Sequence, residues 1–174
     1  MNVTIREMEK RRSIRKYKAE LPAKEDLDLI VEAGLYAASG MGRQSPIILV
    51  VTQKEMRDRL AEANRRILGA PEGVDPFYGA PAVLVVLANK ADPTGIYDGS
   101  LVMGNMMLAA HSLKLGSCWI HRAKEEFETD EYKQLLQDLG VEGEYEGIGH
   151  CIIGYADEEP EAAPRKEGRV FYIS

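Results

Sequence analysis

A chain of 174 residues, 45% hydrophobic and 29% charged, has the make-up of an ordinary globular protein, and one domain over 1–174 is expected. No apolar run approaches the ~20 residues of a membrane span, and the start, MNVTIREMEKRR, lacks the apolar stretch of a secretion signal, so a cytoplasmic protein is expected. The net charge of −6 argues against nucleic acid as the main partner.

Taken in chain order, Thr4 followed by Glu7 predicts a capping box, with Ile5 and Met8 as apolar contacts of a short helix ending near 11–13. Leu27, Ile30, Val31, Gly34, Leu35 and Ala38 recur at helical spacing and predict an amphipathic helix over 24–38. The loop SGMGRQSP, 39–46, ends it. Ile47–Thr52 reads as a buried strand, and Thr52 with Glu55 predicts a second capping box. The helix that follows has Met56, Leu60, Ala63 and Ile67 as its apolar stripe. A Gly- and Pro-rich loop over 69–81 leads to a strand, Ala82–Ala88.

Asp98 is then expected to cap a helix over 99–115 that stops at Gly116. Its sequence is apolar almost all round, so it needs cover on nearly every side, more than one small domain supplies. Strands are expected at Ser117–His121 and Gly147–Tyr155, with a short helix at 130–139 between them. The polar, proline-containing tail returns to apolar residues at Val170–Ile173, as a terminal strand docking away from its own core would. Helices and strands mix without βαβ alternation, which places the chain in the α+β class.

Several chemical signatures fall away. Gly40-x-Gly42-x-x-Ser45 precedes a strand and lacks the third glycine of a dinucleotide fingerprint. No phosphate loop, HExxH or GxSxG is present, and His111, His121 and His150 have no ligand spacing, so no metal site is expected. Cys118 and Cys151 form no CxxC pair and read as reduced, packed thiols.

Charge distribution is more informative than net charge. Residues 6–18 hold seven basic and two acidic side chains, a local excess of +5 that leaves −11 for the rest. Two readings stand open: a site for a small anion, or a solvated helix face. Arg11-Arg12-Ser13-x-Arg15 sets several guanidinium forks and a hydroxyl within reach of one terminal phosphate. A second basic cluster, Arg165-Lys166, serves the same dianion if the fold brings the two together.

RRSIRKY near the start, AASGMGRQSP after the second helix, LGSCWI after the apolar helix and GYADEEPEAAPRK near the end occur in this order. Together they resemble the FMN-dependent nitroreductase family over nearly the whole chain. The resemblance implies an α/β sandwich with a central, mostly antiparallel sheet flanked by helices. It also implies a homodimer that buries a long central helix, holds one FMN at each end of the interface and exchanges C-terminal segments. Arg11, Arg12, Ser13 and Arg15 match residues that hold the FMN phosphate and part of the flavin, and Arg165 and Lys166 the basic pair that completes the phosphate site. Ala38, Ser39 and Gly40 fall where the family reaches the flavin from the partner subunit, with Gln44 a polar contact from the same loop. Cys118, Trp119 and Ile120 match the strand end beside the isoalloxazine ring. For Trp119, a core aromatic and a flavin contact stand as equal readings. Gly42 and Asp75 replace asparagines common in relatives, and the short 122–129 segment implies an open pocket.

The activity implied is reduction of nitroaromatics, quinones or similar acceptors by NAD(P)H, through ping-pong hydride transfer on the flavin. Arg15 suits the negative charge of the reduced ring, and no side chain is required as a general acid. A dedicated dehalogenase-like or flavin-processing member, and a flavin-binding protein without turnover, are the competing readings. A nucleic-acid module using RRSIRKYK is disfavoured by net charge and the lack of interleaved aromatics.

Overall fold

A computed structural model describes residues 2–173. Helix α1 is Val3–Lys10, α2 Lys24–Leu35, α3 Lys54–Leu68, α4 Gly95–Ser112, α5 Ala123–Phe127 and α6 Asp130–Asp138. Strands are β1 Ile47–Val51, β2 Ala82–Asn89, β3 Gly116–Ile120 and β4 Tyr145–Gly154. They form one sheet in the order β1-β2-β4-β3, with every neighbouring pair antiparallel. The α+β class and antiparallel sheet are therefore as expected.

The run AVLVVLA of β2 is buried along its whole length because both sheet faces are covered. Period-two alternation divides it between two cores. Ala82, Leu84, Val86 and Ala88 join Leu27 and Ile30 of α2 and Val102, Met103 and Met106 of α4. Val83, Val85 and Leu87 face Leu60 of α3, Phe127 of α5 and Leu136 of α6, around Phe77. Register slips between Val86 and Leu87, which face Gly149 and Gly147 of β4, so Ile148 is the extra residue of a bulge.

Several boundaries differ from expectation, each for a local reason. The first helix is capped by Asn2, whose Oδ1 accepts from Thr4 N–H at 2.8 Å, so Thr4 and Glu7 form no capping box. Helix α2 stops at Leu35, leaving Ala38 outside, and α3 starts after Gln53 with no side-chain cap from Thr52. Helix α4 begins at Gly95, so Asp98 lies inside its first turn and does not cap it. That helix ends at Ser112 because Lys114 turns into the left-handed region at φ 64°. Helix α5 has no periodic signal, being a single short segment opened by Arg122 at φ 77°.

Helix α4 is covered on one side only. Val102, Met103, Met106 and Ala110 are buried, whereas Ile96, Tyr97 and Leu101 are 53%, 71% and 50% exposed. Helix α1 leaves Val3, Ile5 and Met8 exposed, and α2 leaves Leu29 and Leu35. Among the described residues the tail forms no strand, and Val170–Ile173 are exposed. Strand β1 pairs only with β2, so its other edge is open among the described residues.

Candidate active site

The basic segment after α1 lies along the outer edge of β3. Ser13 bridges Ser117 in parallel, and Ile14 N–H donates to Ser117 O at 3.0 Å. Further on, Lys18 N–H donates to Tyr155 O at 2.9 Å and Asp157 N–H to Lys16 O at 2.9 Å. The segment is thus laced to the two strand ends that bound it. Tyr17 anchors the turn from within, donating its hydroxyl to Ile14 O at 2.7 Å, and burial raises its pKa.

Between this segment, the end of α4 and the tail lies a cavity of about 750 Å³. Lys10, Arg12 and Lys114 give it cationic walls, His111 lies among them, and Ser117 forms part of its floor. Arg12 Nη1 donates only to backbone oxygens, Glu9 O at 2.6 Å and Arg11 O at 2.8 Å, leaving the guanidinium charge unneutralised among the described residues. Arg11 Nη1 is buried with no partner. His111 Nε2 stands 3.3 Å from a Glu7 carboxylate oxygen but outside hydrogen-bond geometry. Burial holds the His111 pKa below its ordinary value, against the pull of Glu7. Opposite these groups the tail contributes Glu158, Glu159 and Glu161. The Glu158 carboxylate accepts the backbone N–H of Arg15, and Lys16 pairs with Asp157 at 3.0 Å. The chain's own acidic stretch therefore folds back onto its basic one.

The other candidate residues lie elsewhere. Ala38, Ser39 and Gln44 line a cavity of about 110 Å³ with Asp98 and Val102, and Gly40 adjoins it in the same loop. Ser39 Oγ accepts Gln44 N–H at 3.0 Å, and both Met41 and Gln44 sit in the left-handed region, at φ 55° and 53°. This loop meets the first turn of α4, whereas the basic cavity meets its last. Thirteen residues separate Asp98 from His111, roughly 20 Å along a helix. One chain does not bring the two groups together.

Cys118 and Ile120 point into the core, so the larger cavity meets β3 at Gly116 and Ser117 instead. Cys151 is buried on the opposite core, and burial pushes its thiol up to about 12. Trp119 packs across Gly149, where a Cβ would lie 2.4 Å from the indole nitrogen, and touches the α2–α4 core. Its packing role is thus explicit. Arg165 and Lys166 lie on the exposed tail and line neither cavity; Arg165 donates to Ala163 O. Lys10, His111, Lys114, Asp98 and Glu158 are not among the site residues the sequence pointed to. The i, i+3 spacing of His111 and Lys114 at a helix end was the available signal for two of them, and a lone carboxylate in an apolar helix for a third.

The profile of the nitroreductase family matches residues 8–155. The chain belongs to the nitroreductase family. It is 31% identical over 180 residues to the NADPH-flavin oxidoreductase of Vibrio harveyi, spanning 98% of this chain and 72% of that protein. A nitroreductase with bound FMN from Bacteroides fragilis superposes with a TM-score of 0.88 at 27% identity, covering both chains completely. An FMN-dependent nitroreductase of Clostridium difficile is 32% identical, with a TM-score of 0.79 over 98% of this chain and 99% of that one. Family and fold agree with the sequence resemblance. Among the described residues of this nitroreductase no helix is long and apolar enough to cross a membrane, and no cluster of side chains suits a metal ion.

Proposed function

We propose that this nitroreductase is a single-domain, cytoplasmic, FMN-dependent oxidoreductase that uses NAD(P)H to reduce nitroaromatic, quinone or similar small acceptors by a ping-pong route. One observation carries the reading. The residues matched to the cofactor fall into two groups at opposite ends of α4, and the outer side of that helix is bare and apolar. Two copies packed with α4 antiparallel set the basic cavity of one against loop 38–44 of the other, giving two whole sites per dimer. The open edge of β1 and the apolar residues 170–173 are complementary as a strand addition between subunits, which would also carry Arg165 and Lys166 towards the partner's cavity.

The residues present fit FMN. The cavity offers the Arg12 charge and the basic groups Lys10 and Lys114 to a terminal phosphate, while Arg11 does not line it and keeps a buried, unpartnered Nη1 among the described residues. The Arg15 N–H is a further donor once Glu158 gives way. Bound flavin supplies the two-electron chemistry. The chain's part is to hold the phosphate, place Arg15 and the 116–120 backbone beside the ring, and cover the far side with Ala38, Ser39, Gly40 and Gln44. No side-chain acid is assigned, since solvent delivers the protons.

The test is the visible spectrum before and after anaerobic NADPH, with FMN titration of Arg12→Ala. We expect bleaching in the wild type, and about 10–100-fold weaker binding in Arg12→Ala for the loss of about one charge-assisted contact. Unchanged affinity in both Arg12→Ala and Arg15→Ala would remove the phosphate-site assignment.

A further inference from the structure

Asp98 is an anomaly in α4. It is 4% exposed, makes no ion pair among the described residues, and is the only carboxylate in a mostly apolar helix. A buried carboxyl group in such a place is retained only if its oxygens are well bonded. They are, and one partner belongs to a different part of the chain. Oδ1 accepts the backbone N–H of Gly40 at 3.0 Å, and Oδ2 accepts the hydroxyl of Thr94 at 2.9 Å. The position in the first helical turn adds the favourable end of the helix dipole.

The same corner is tied a second time. Asp92 accepts from Ser45 Oγ at 2.6 Å, from Arg43 Nη1 at 3.2 Å and from Thr94 N–H at 3.2 Å. Those bonds hold the Asp92 carboxyl below its usual range, Ser45 contributing most. Gly40 approaches Thr94 so closely that a Cβ there would lie 2.3 Å from the hydroxyl oxygen. The loop is thus pinned at Gly40 by Asp98 and at Arg43 and Ser45 by Asp92. Between the pins, Met41 and Gln44 stay in the left-handed region that non-glycine residues seldom occupy.

We infer that Asp98, with Thr94, is a positioning residue that sets loop 39–44 in the shape with which it covers the flavin of the neighbouring subunit. This rests on the proposed dimeric flavin site. Asp98 touches no cofactor itself; it acts through the Gly40 amide. Its geometry makes a conservative rescue possible. In Asp98→Asn the amide oxygen still accepts from Gly40, and the amide N–H donates to Thr94 Oγ, whose own proton turns to Asp92 Oδ1, 3.1 Å away.

The experiment compares Asp98→Ala, Asp98→Asn and Thr94→Val by three readouts: FMN affinity of the apoprotein, the visible spectrum of bound flavin, and the rate of tryptic cleavage at Arg43 without FMN. Losing the Gly40 bond should weaken FMN binding about tenfold in Asp98→Ala, alter the flavin spectrum and speed cleavage at Arg43. Asp98→Asn should stay within about twofold of wild type in all three, and Thr94→Val should fall between. Wild-type affinity and cleavage in Asp98→Ala would overturn the inference, as would an Asp98→Asn as impaired as Asp98→Ala. Should Asp98→Ala fail to fold, Thr94→Val decides: unchanged cleavage and affinity there overturn it equally. Failure of the flavin-site reading looks different, because Arg12→Ala would then also bind FMN like wild type while Arg43 cleavage still responded to Asp98.

Discussion

Glu126 and His150 are both fully buried, joined by a 2.8 Å contact between Glu126 Oε2 and His150 Nε2. The pair ties the first turn of α5 to β4 and sits under Phe77, whose ring centroid is 5.0 Å from the imidazole. Glu126 Oε1 and His150 Nδ1 have no partner, so each residue depends on this one bond. Glu126→Ala leaves a buried imidazole with neither nitrogen satisfied, and leaving a buried polar group unpartnered costs about 1–3 kcal/mol. At roughly 2–4 °C per kcal/mol for a chain of this length, melting should fall by about 2–12 °C. Replacing both partners with apolar residues, Glu126→Leu with His150→Leu, should recover most of that loss, because no uncompensated polar group remains. The assay is thermal and urea unfolding of the single and double variants at one fixed protein concentration, because the proposed dimer would make both midpoints depend on it. A Glu126→Ala penalty below about 1 kcal/mol, or a double variant whose loss equals the two singles added together, would refute the reasoning.

Leu101→Asp places a charge on the bare side of α4, and the protein should sediment as a monomer that no longer retains FMN; a flavin-loaded dimer would contradict the assigned interface. Deleting residues 165–174 should lower FMN retention and melting temperature together, and a truncated chain that keeps both would separate the tail from site and dimer. His111 is held below its ordinary value of 6.5 first by burial, so the unfolded chain takes up a proton that the folded chain refuses. Its contribution is therefore fully present above pH 6.5 and fades as pH falls below it. Urea unfolding across that window should show a shallower loss for His111→Gln than for wild type, and equal slopes would dismiss the assignment.

The strands were legible wherever β-branched residues ran together, as at 47–51 and 82–89; burial on both faces holds for β2, whereas β1, expected as a buried strand, lies at the sheet edge with only Val51 buried. Helix ends were less so. The Thr4 and Thr52 capping boxes fit the sequence pattern, yet Asn2 and Gln53 occupy the caps, since caps depend on the entering chain direction that tertiary packing sets. Helix α5 was invisible because five residues give no period. At the site, the clustering of basic side chains at Arg11, Arg12 and Arg15 was readable from the sequence. That Glu158 lies across from them was not, since 143 residues separate it from Arg15. Asp98 was read as a cap because it follows a turn, whereas its bonds reach loop 39–46.

The uncovered margin of β1 has a consequence for handling this protein as separate chains. Ile47–Val51 contains no charge and no proline, and Val50 is 49% exposed at the sheet's border. Natural sheets blunt such borders with lysines, prolines or bulges, because unpaired N–H and C=O groups recruit any strand that comes near. Here none of those guards is built in, and Pro46 lies just before the ladder begins. Chains kept singly in solution are accordingly expected to associate through this margin, with light scattering that rises with protein concentration.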